Sequence, residues 1–74
     1  MAYTKLQRRI LTHTVTDSEY SIHEIAKVAY DGMVIGESLD IVQIRQAVEI
    51  LVNSGDLLKT VIDGEADYLN ISPL

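Results

Sequence analysis

The chain has 74 residues, of which 47% are hydrophobic, and its 11 acidic against 6 basic residues give a net charge of −5 at pH 7. This length leaves no room for a second core, so residues 1–74 are expected to form a single domain. The absence of cysteine excludes disulfides and thiolate metal sites, and the acidic balance disfavours non-specific binding to polyanions.

Two amphipathic helices are predicted in the first half of the chain. Helix 1, about 4–14, is apolar on one face and basic on the other. A short strand over 19–21 is expected to precede helix 2, about 22–30. The start of helix 2 is marked by Ser21 and Glu24, which match the capping box, in which each side chain satisfies a backbone N–H group at a helix start.

The second half of the chain predicts a longer helix followed by a β-hairpin. A loop over 33–39 leads to helix 3, about 41–54, which begins with the capping pair Asp40 and Gln43. Its core face is predicted to carry the apolar residues at helical spacing, Ile41, Ile44, Val48, Leu51 and Val52. Gly55 is expected to adopt the left-handed conformation that closes a helix. Strands over 57–62 and 68–71, joined by the turn signal Asp63-Gly64, then form a hairpin, about 57–71.

The order helix, short strand, helix, helix, hairpin resembles the winged-helix superfamily, and the resemblance reaches individual residues. They form the run Ile44-x3-Val48-x2-Leu51-x3-Gly55-x-Leu57, followed by Gly64 and Tyr68, and the resemblance covers about residues 4–72. It implies an α+β fold with three helices, a short strand and a C-terminal two-stranded β-hairpin wing. It also implies that the third helix enters the DNA major groove and that the wing contacts the DNA backbone or the minor groove.

The charges of helix 3 and the wing fit DNA poorly. The outer face of helix 3 has no Lys or Arg, and the wing carries three acids beside the single cation Lys59. Our first hypothesis is therefore a regulator that acts through protein contacts, as an adaptor or inhibitor that occupies the anion site of a basic, nucleic-acid-handling partner. A free-standing acidic domain of this size also suits a phage or mobile-element protein. The predicted interaction residues are Val42, Gln43, Gln46, Glu49, Ile50, Asn53, Asp63, Glu65 and Asp67.

The alternative hypothesis is a sequence-specific DNA-binding transcriptional regulator, which we expect to be dimeric. Side-chain amides and a guanidinium group can read base edges, and those available are Gln43, Arg45, Gln46 and Asn53. The predicted phosphate contacts are Lys5, Arg8, Arg9 and Lys59. A homodimer is also open under the first hypothesis, because a domain this small gains stability from a partner.

Neither an enzyme nor a metalloprotein is indicated. His23-Glu24 lacks the second histidine of the H-E-x-x-H zinc motif, and the acids of the wing lack the Gly and Glu of a calcium loop. No phosphate-binding loop or nucleophile elbow occurs, so we expect no catalytic, metal or cofactor site. No apolar run approaches the ~18 residues of a membrane span, and no signal peptide is recognised. A cytoplasmic protein without membrane contacts is expected.

Overall fold

Three helices and a three-stranded antiparallel sheet make up the fold. The computed structural model describes residues 3–33 and 38–72. The sheet order is β1-β3-β2, which places β3 in the middle. This is the predicted α+β, winged-helix-like arrangement, with the β2–β3 hairpin as the wing. The elements are, in chain order, α1 (Lys5–His13), β1 (Glu19–Ser21), α2 (Ile22–Asp31), α3 (Ile41–Asn53), β2 (Leu57–Ile62) and β3 (Glu65–Asn70).

Every helix begins with a capping box. The two boxes predicted from Ser21 and Asp40 are confirmed. A third box, not predicted, begins α1: Thr4 Oγ1 accepts from the Gln7 N–H at 3.1 Å, and Gln7 Oε1 accepts from the Thr4 N–H at 3.0 Å. Each box satisfies N–H groups that have no partner inside the helix, so the start of each helix is determined by residues three positions apart.

The core lies between the three helices and the inner face of the sheet. Ile41 was predicted to belong to it, which is wrong: its side chain is exposed, because it occupies the first position of α3, at the end of the helix. Val52 is partly buried against the core. Ala47, which the prediction omitted, is buried instead. The buried apolar residues are Ile10, Leu11, Ile25, Ala26, Ala29, Ile44, Ala47, Val48, Leu51, Leu57 and Tyr68.

The wing is a tight hairpin. Its two turn residues both have positive φ, 53° at Asp63 and 79° at Gly64, which is the conformation of a two-residue type I′ turn. Ile62 therefore pairs with Glu65 directly across the turn. The prediction that the second strand covers 68–71 is wrong at both ends, since it starts at Glu65 and ends one residue earlier. Pairing imposed by the turn outweighs the low strand propensity of the acidic residues.

The connections between the elements agree with the prediction where they are described. Gly55 has φ of +88°, and its N–H donates to the Val52 carbonyl at 3.1 Å, closing α3 as expected. The loop predicted over 33–39 lies largely outside the described residues, since positions 34–37 are not among them. Within residues 3–33 and 38–72 there is no helix long and apolar enough to cross a membrane.

Candidate protein-interaction surface

The outer face of α3 is exposed along the length of the helix, because the opposite face supplies the core. All six side chains predicted for it are exposed, namely Val42, Gln43, Gln46, Glu49, Ile50 and Asn53. Two of them are aliphatic, with Val42 57% and Ile50 52% exposed. They are eight positions apart, which at the rise of an α-helix separates them by about 12 Å along its axis. We refer to these six residues as the α3 outer face.

A shallow hollow of about 430 Å³ lies on this face. It is lined by Arg45, Gln46, Glu49 and Ile50, and its walls are mostly apolar. Such a hollow can accept an apolar side chain from a partner, while the polar ends of the lining residues remain available for hydrogen bonds at its rim. The hollow is thus an apolar depression on an exposed face of α3.

An ion pair joins α3 to the wing. Lys59 Nζ of β2 lies 3.3 Å from Glu49 Oε1. Both side chains are substantially exposed, so this pair contributes little to stability. Its effect on the surface is larger, because the single cation of the wing strands is paired with α3 and no longer offsets the wing acids.

The three acids of the wing do not lie together at its tip. Asp63 in the turn and Glu65 beside it are exposed. Asp67 is half-buried in the middle of the sheet, where it pairs with Thr60 on one side and Ser21 on the other. Side chains alternate between the two faces of a strand, so Glu65 and Asp67 project from the outer face of the sheet, away from the helices.

A groove of about 490 Å³ separates the beginning of α2 and part of α3 from the wing. It is lined by residues 21–23, Arg45 and the hairpin residues 64–68. Arg45 therefore borders both this groove and the hollow on α3. The predicted interaction residues fall into two patches, the α3 outer face and the acidic wing, with the cation Arg45 beside both.

The basic residues of α1 divide into two kinds. Lys5 and Arg8 are exposed. Arg9 instead crosses Gly32, where an added Cβ would stand 2.7 Å from Arg9 Cδ, and its Nη1 donates to the Ala29 carbonyl at 3.5 Å. The guanidinium group thus lies at the C-terminal end of α2, where unpaired carbonyls carry partial negative charge. Of the three predicted phosphate contacts on α1, Lys5 and Arg8 are thus exposed, whereas Arg9 packs against α2.

Two buried polar residues, Asp56 and Asn70, join segments that are distant in the sequence, and neither was predicted to do so. Asp56 accepts from Ser54 Oγ at 2.7 Å and from the Tyr3 hydroxyl at 3.0 Å. These hydrogen bonds, that from Ser54 above all, hold the pKa of Asp56 below its usual value, while the bond to Asp56 raises the pKa of Tyr3. A carboxylate just after a helix only weakly indicates a buried, hydrogen-bonded residue. No local pattern in the sequence indicates a partner as distant as Tyr3.

Asn70 is the second of these residues, and it joins β3 to the end of α1. Its Nδ2 donates to the Leu11 carbonyl at 2.9 Å and to the Thr14 carbonyl at 3.0 Å, and its Oδ1 accepts from the Ser72 N–H at 2.8 Å. Because a buried amide is stable only when its polar atoms are paired, this network sets how the wing sits on the helices.

The site offers no metal-binding cluster within the part of the chain that the structure describes: no three His, Asp or Glu side chains are grouped to hold an ion. Comparison of the chain with protein-family models, with curated proteins and with solved structures finds no match in any of the three. The winged-helix-like assignment therefore rests on the order and pairing of the elements.

Proposed function

We propose that this protein is a non-enzymatic winged-helix regulator of the cytoplasm that acts through protein contacts. Its partner is a basic, nucleic-acid-handling protein, which it binds through the α3 outer face and the acidic wing. The single observation that carries the proposal is the α3 outer face itself, with two exposed aliphatic side chains and no cation among its six members.

The geometry of the α3 outer face supports a helical contact. Val42, Gln46, Glu49, Ile50 and Asn53 form one stripe along the helix, with spacings of three or four residues between most neighbours. Val42 and Ile50 provide apolar anchors about 12 Å apart, and the hollow beside Ile50 receives an apolar side chain of the partner. Aliphatic side chains exposed in this way lose contact with water when a partner covers them.

Charge supports a basic partner. Asp63 and Glu65 are exposed near the wing tip, and the nearest wing cation, Lys59, is paired with Glu49. Complementary charge raises the rate of association and suppresses wrong partners more than it increases affinity. The wing acids are therefore expected to steer a cationic surface, while the α3 outer face supplies the contact area.

DNA binding is a second candidate, favoured by one observation. Gln43, Arg45, Gln46 and Asn53 are all exposed on the helix that winged-helix proteins insert into the major groove. Amide and guanidinium groups in that position can pair with base edges. Against this candidate stands the shortage of phosphate contacts, because Arg9 lies against α2 and Lys59 against Glu49.

A photo-crosslinking experiment tests the protein-contact proposal. A benzoylphenylalanine residue replaces Ile50, and the variant is expressed in the native host and irradiated. The matched control carries the same residue at Val15, which is equally exposed but lies in the loop after α1. We expect a discrete adduct with one basic protein from position 50 and none from position 15. The absence of any adduct specific to position 50 would refute the proposal.

Fluorescence anisotropy separates the two candidates. A labelled random-sequence duplex is titrated with wild-type protein at low salt and at 200 mM salt. The proposal predicts no binding even at low salt, because the α3 outer face carries no cation and Lys59 of the wing is paired with Glu49. Tight binding that weakens steeply with salt would show that phosphates are being neutralised, and would replace protein contact by DNA recognition. Changing Asp63, Glu65 and Asp67 together to Lys should abolish partner binding in the first case and strengthen DNA binding in the second.

A further inference from the structure

The two outer strands of the sheet differ in how they are protected. β1 has three residues, one of them Glu19, and a strand this short and charged is a poor template for another strand. β2 has six residues, Leu57–Ile62, pairs with β3 without interruption, and contains neither proline nor bulge. Within residues 3–33 and 38–72, no backbone hydrogen bond reaches its other edge. Of the usual devices that prevent pairing, β2 carries only the charge of Lys59, and that charge is paired with Glu49.

The open backbone groups of this edge can be identified from the hairpin. In a hairpin with a two-residue turn, the residues that flank the turn exchange hydrogen bonds with each other, and bonding then alternates along the strand. Ile62 and Thr60 therefore bond to β3, whereas Lys59 and Val61 direct their N–H and C=O groups outward. Aliphatic side chains border this row: Val61 is 58% exposed, and Leu58 and Ile62 are also exposed.

We propose that the β2 edge is a homodimer interface, in which two copies of the chain pair their β2 strands antiparallel across a twofold axis. The two three-stranded sheets then form one continuous six-stranded sheet. Such an axis must run perpendicular to the sheet, because it relates two antiparallel edges, and it keeps the helices of both copies on one side. This inference does not depend on the proposed function, since the strands that would pair contain no residue of the α3 outer face.

The side chains of β2 select the register. When the axis passes between the Thr60 residues of the two copies, each Lys59 exchanges backbone hydrogen bonds with Val61 of the other copy. On the outer face, Thr60 then lies opposite Thr60, and Leu58 lies opposite Ile62. Thr–Thr and aliphatic pairs are favourable cross-strand neighbours. A register shifted by two residues toward the start of the strand would instead place the two Lys59 residues opposite each other.

The distribution of charge is compatible with a second copy as the occupant. The chain carries 11 acids, but none lies on β2. The acids of the sheet belong to β1, the turn and β3, as Glu19, Asp63, Glu65 and Asp67. Lys59 keeps Glu49 of its own chain as counter-ion at 3.3 Å, so the two lysines do not meet uncompensated. Two copies of this acidic protein can therefore approach along β2 without opposing their acids.

The interface is small, and small interfaces are typical of weak or transient association. A small stable dimer buries ~600 Å² per copy, which is about an eighth of the accessible surface of 4931 Å². A six-residue edge about 20 Å long supplies part of this area, so we expect a weak dimer with a Kd of about 10–100 μM.

Analytical ultracentrifugation of the full chain tests this inference. The weight-average mass of wild-type protein at 150 mM salt should rise from the monomer mass of 8.2 kDa towards twice that mass as its concentration rises to 1 mM. Val61→Pro removes an outward N–H and leaves the ladder to β3 intact, because proline is tolerated at such edge positions. Val61→Lys leaves the backbone unchanged but adds a charge at the seam. Each should raise the dimer Kd by more than tenfold.

The matched control is Val15→Lys, the same substitution at a valine that is 53% exposed and remote from the sheet edge. It should leave dimerisation unchanged, and far-UV circular dichroism should show all variants folded. If Val61→Pro unfolds, Val61→Lys alone decides the question. A wild-type protein that stays monomeric at 1 mM overturns the inference, as does a dimer that both Val61 variants retain or that Val15→Lys disrupts equally.

Discussion

Replacing Asn70 by alanine should destabilise the protein more than Asn53→Ala or Asp56→Asn. Asn70 is 1% exposed, and it satisfies the carbonyls of Leu11 and Thr14 and the N–H of Ser72. Alanine leaves these three backbone groups buried without a partner, at roughly 1–3 kcal/mol each, and some relaxation reduces the total to about 3–5 kcal/mol. A 74-residue domain has a total stability of roughly 4–11 kcal/mol, so this loss removes a large fraction of the free energy of unfolding.

Urea denaturation followed by circular dichroism measures this loss. Asn53→Ala is the control, because Asn53 is exposed on α3 and its replacement should change the free energy of unfolding by less than about 0.5 kcal/mol. Combining Asn70→Ala with Thr14→Val should cost less than the sum of the two single losses, since Asn70 Nδ2 also donates to Thr14 Oγ1 at 3.0 Å. A loss below about 1 kcal/mol for Asn70→Ala would refute the view that this network anchors the wing to the helices.

Three further predictions concern other contacts between distant segments. Asp56→Asn should cost about 1–2 kcal/mol at neutral pH. Hydrogen bonds from Ser54 and Tyr3 lower the folded-state pKa of Asp56, so the stability that its carboxylate contributes is present above about pH 4 and is lost as the pH falls through that lowered pKa. Urea titrations from pH 6 to pH 2 should show the difference in free energy of unfolding between wild type and variant decreasing. A difference that stays constant over this range would contradict the prediction. The raised pKa of Tyr3 means that the folded state favours the protonated hydroxyl, so wild-type protein should lose stability above about pH 10. Tyr3→Phe should not show this loss, and urea titrations at alkaline pH check the difference. Gly32→Ala should destabilise the protein by ~1 kcal/mol, or about 4–8 °C in Tm, because the added Cβ displaces the Arg9 side chain. In an Arg9→Ala background the same substitution should be neutral or stabilising, since alanine restricts the unfolded chain. An unchanged loss of stability in that background would rule out the displacement of Arg9 as the cause.

Short-range chemistry explains why much of the fold could be predicted. The starts of α2 and α3 follow from side chains three residues from the backbone groups they satisfy, as in the Ser21–Glu24 and Asp40–Gln43 pairs. The hairpin follows from Asp63-Gly64, because few other pairs accept two consecutive positive φ angles. The exposed set of α3 follows from its 3.6-residue period. These signals do not depend on the remainder of the molecule.

The prediction was wrong where a neighbouring element determines the outcome. Ile41 continues the apolar period of α3, yet the period does not reveal where the core ends. The first half of β3 reads as loop because it is acidic, and only its pairing with β2 makes it a strand. In the sequence Lys59 stands among the acids of the wing, but its ammonium group forms an ion pair with Glu49, ten residues earlier on α3.

The sequence by itself thus determined the helices, their capping, the turn and the side of α3 that faces outward, because these depend on interactions within a few residues. Only the tertiary structure decided which polar side chains hold the domain together and which remain exposed. Arg9, Asp56 and Asn70 resemble ordinary surface residues in the sequence, yet each has a partner 20 or more residues away. The physical reason is that such partners are chosen by packing, which brings together groups that no local pattern relates.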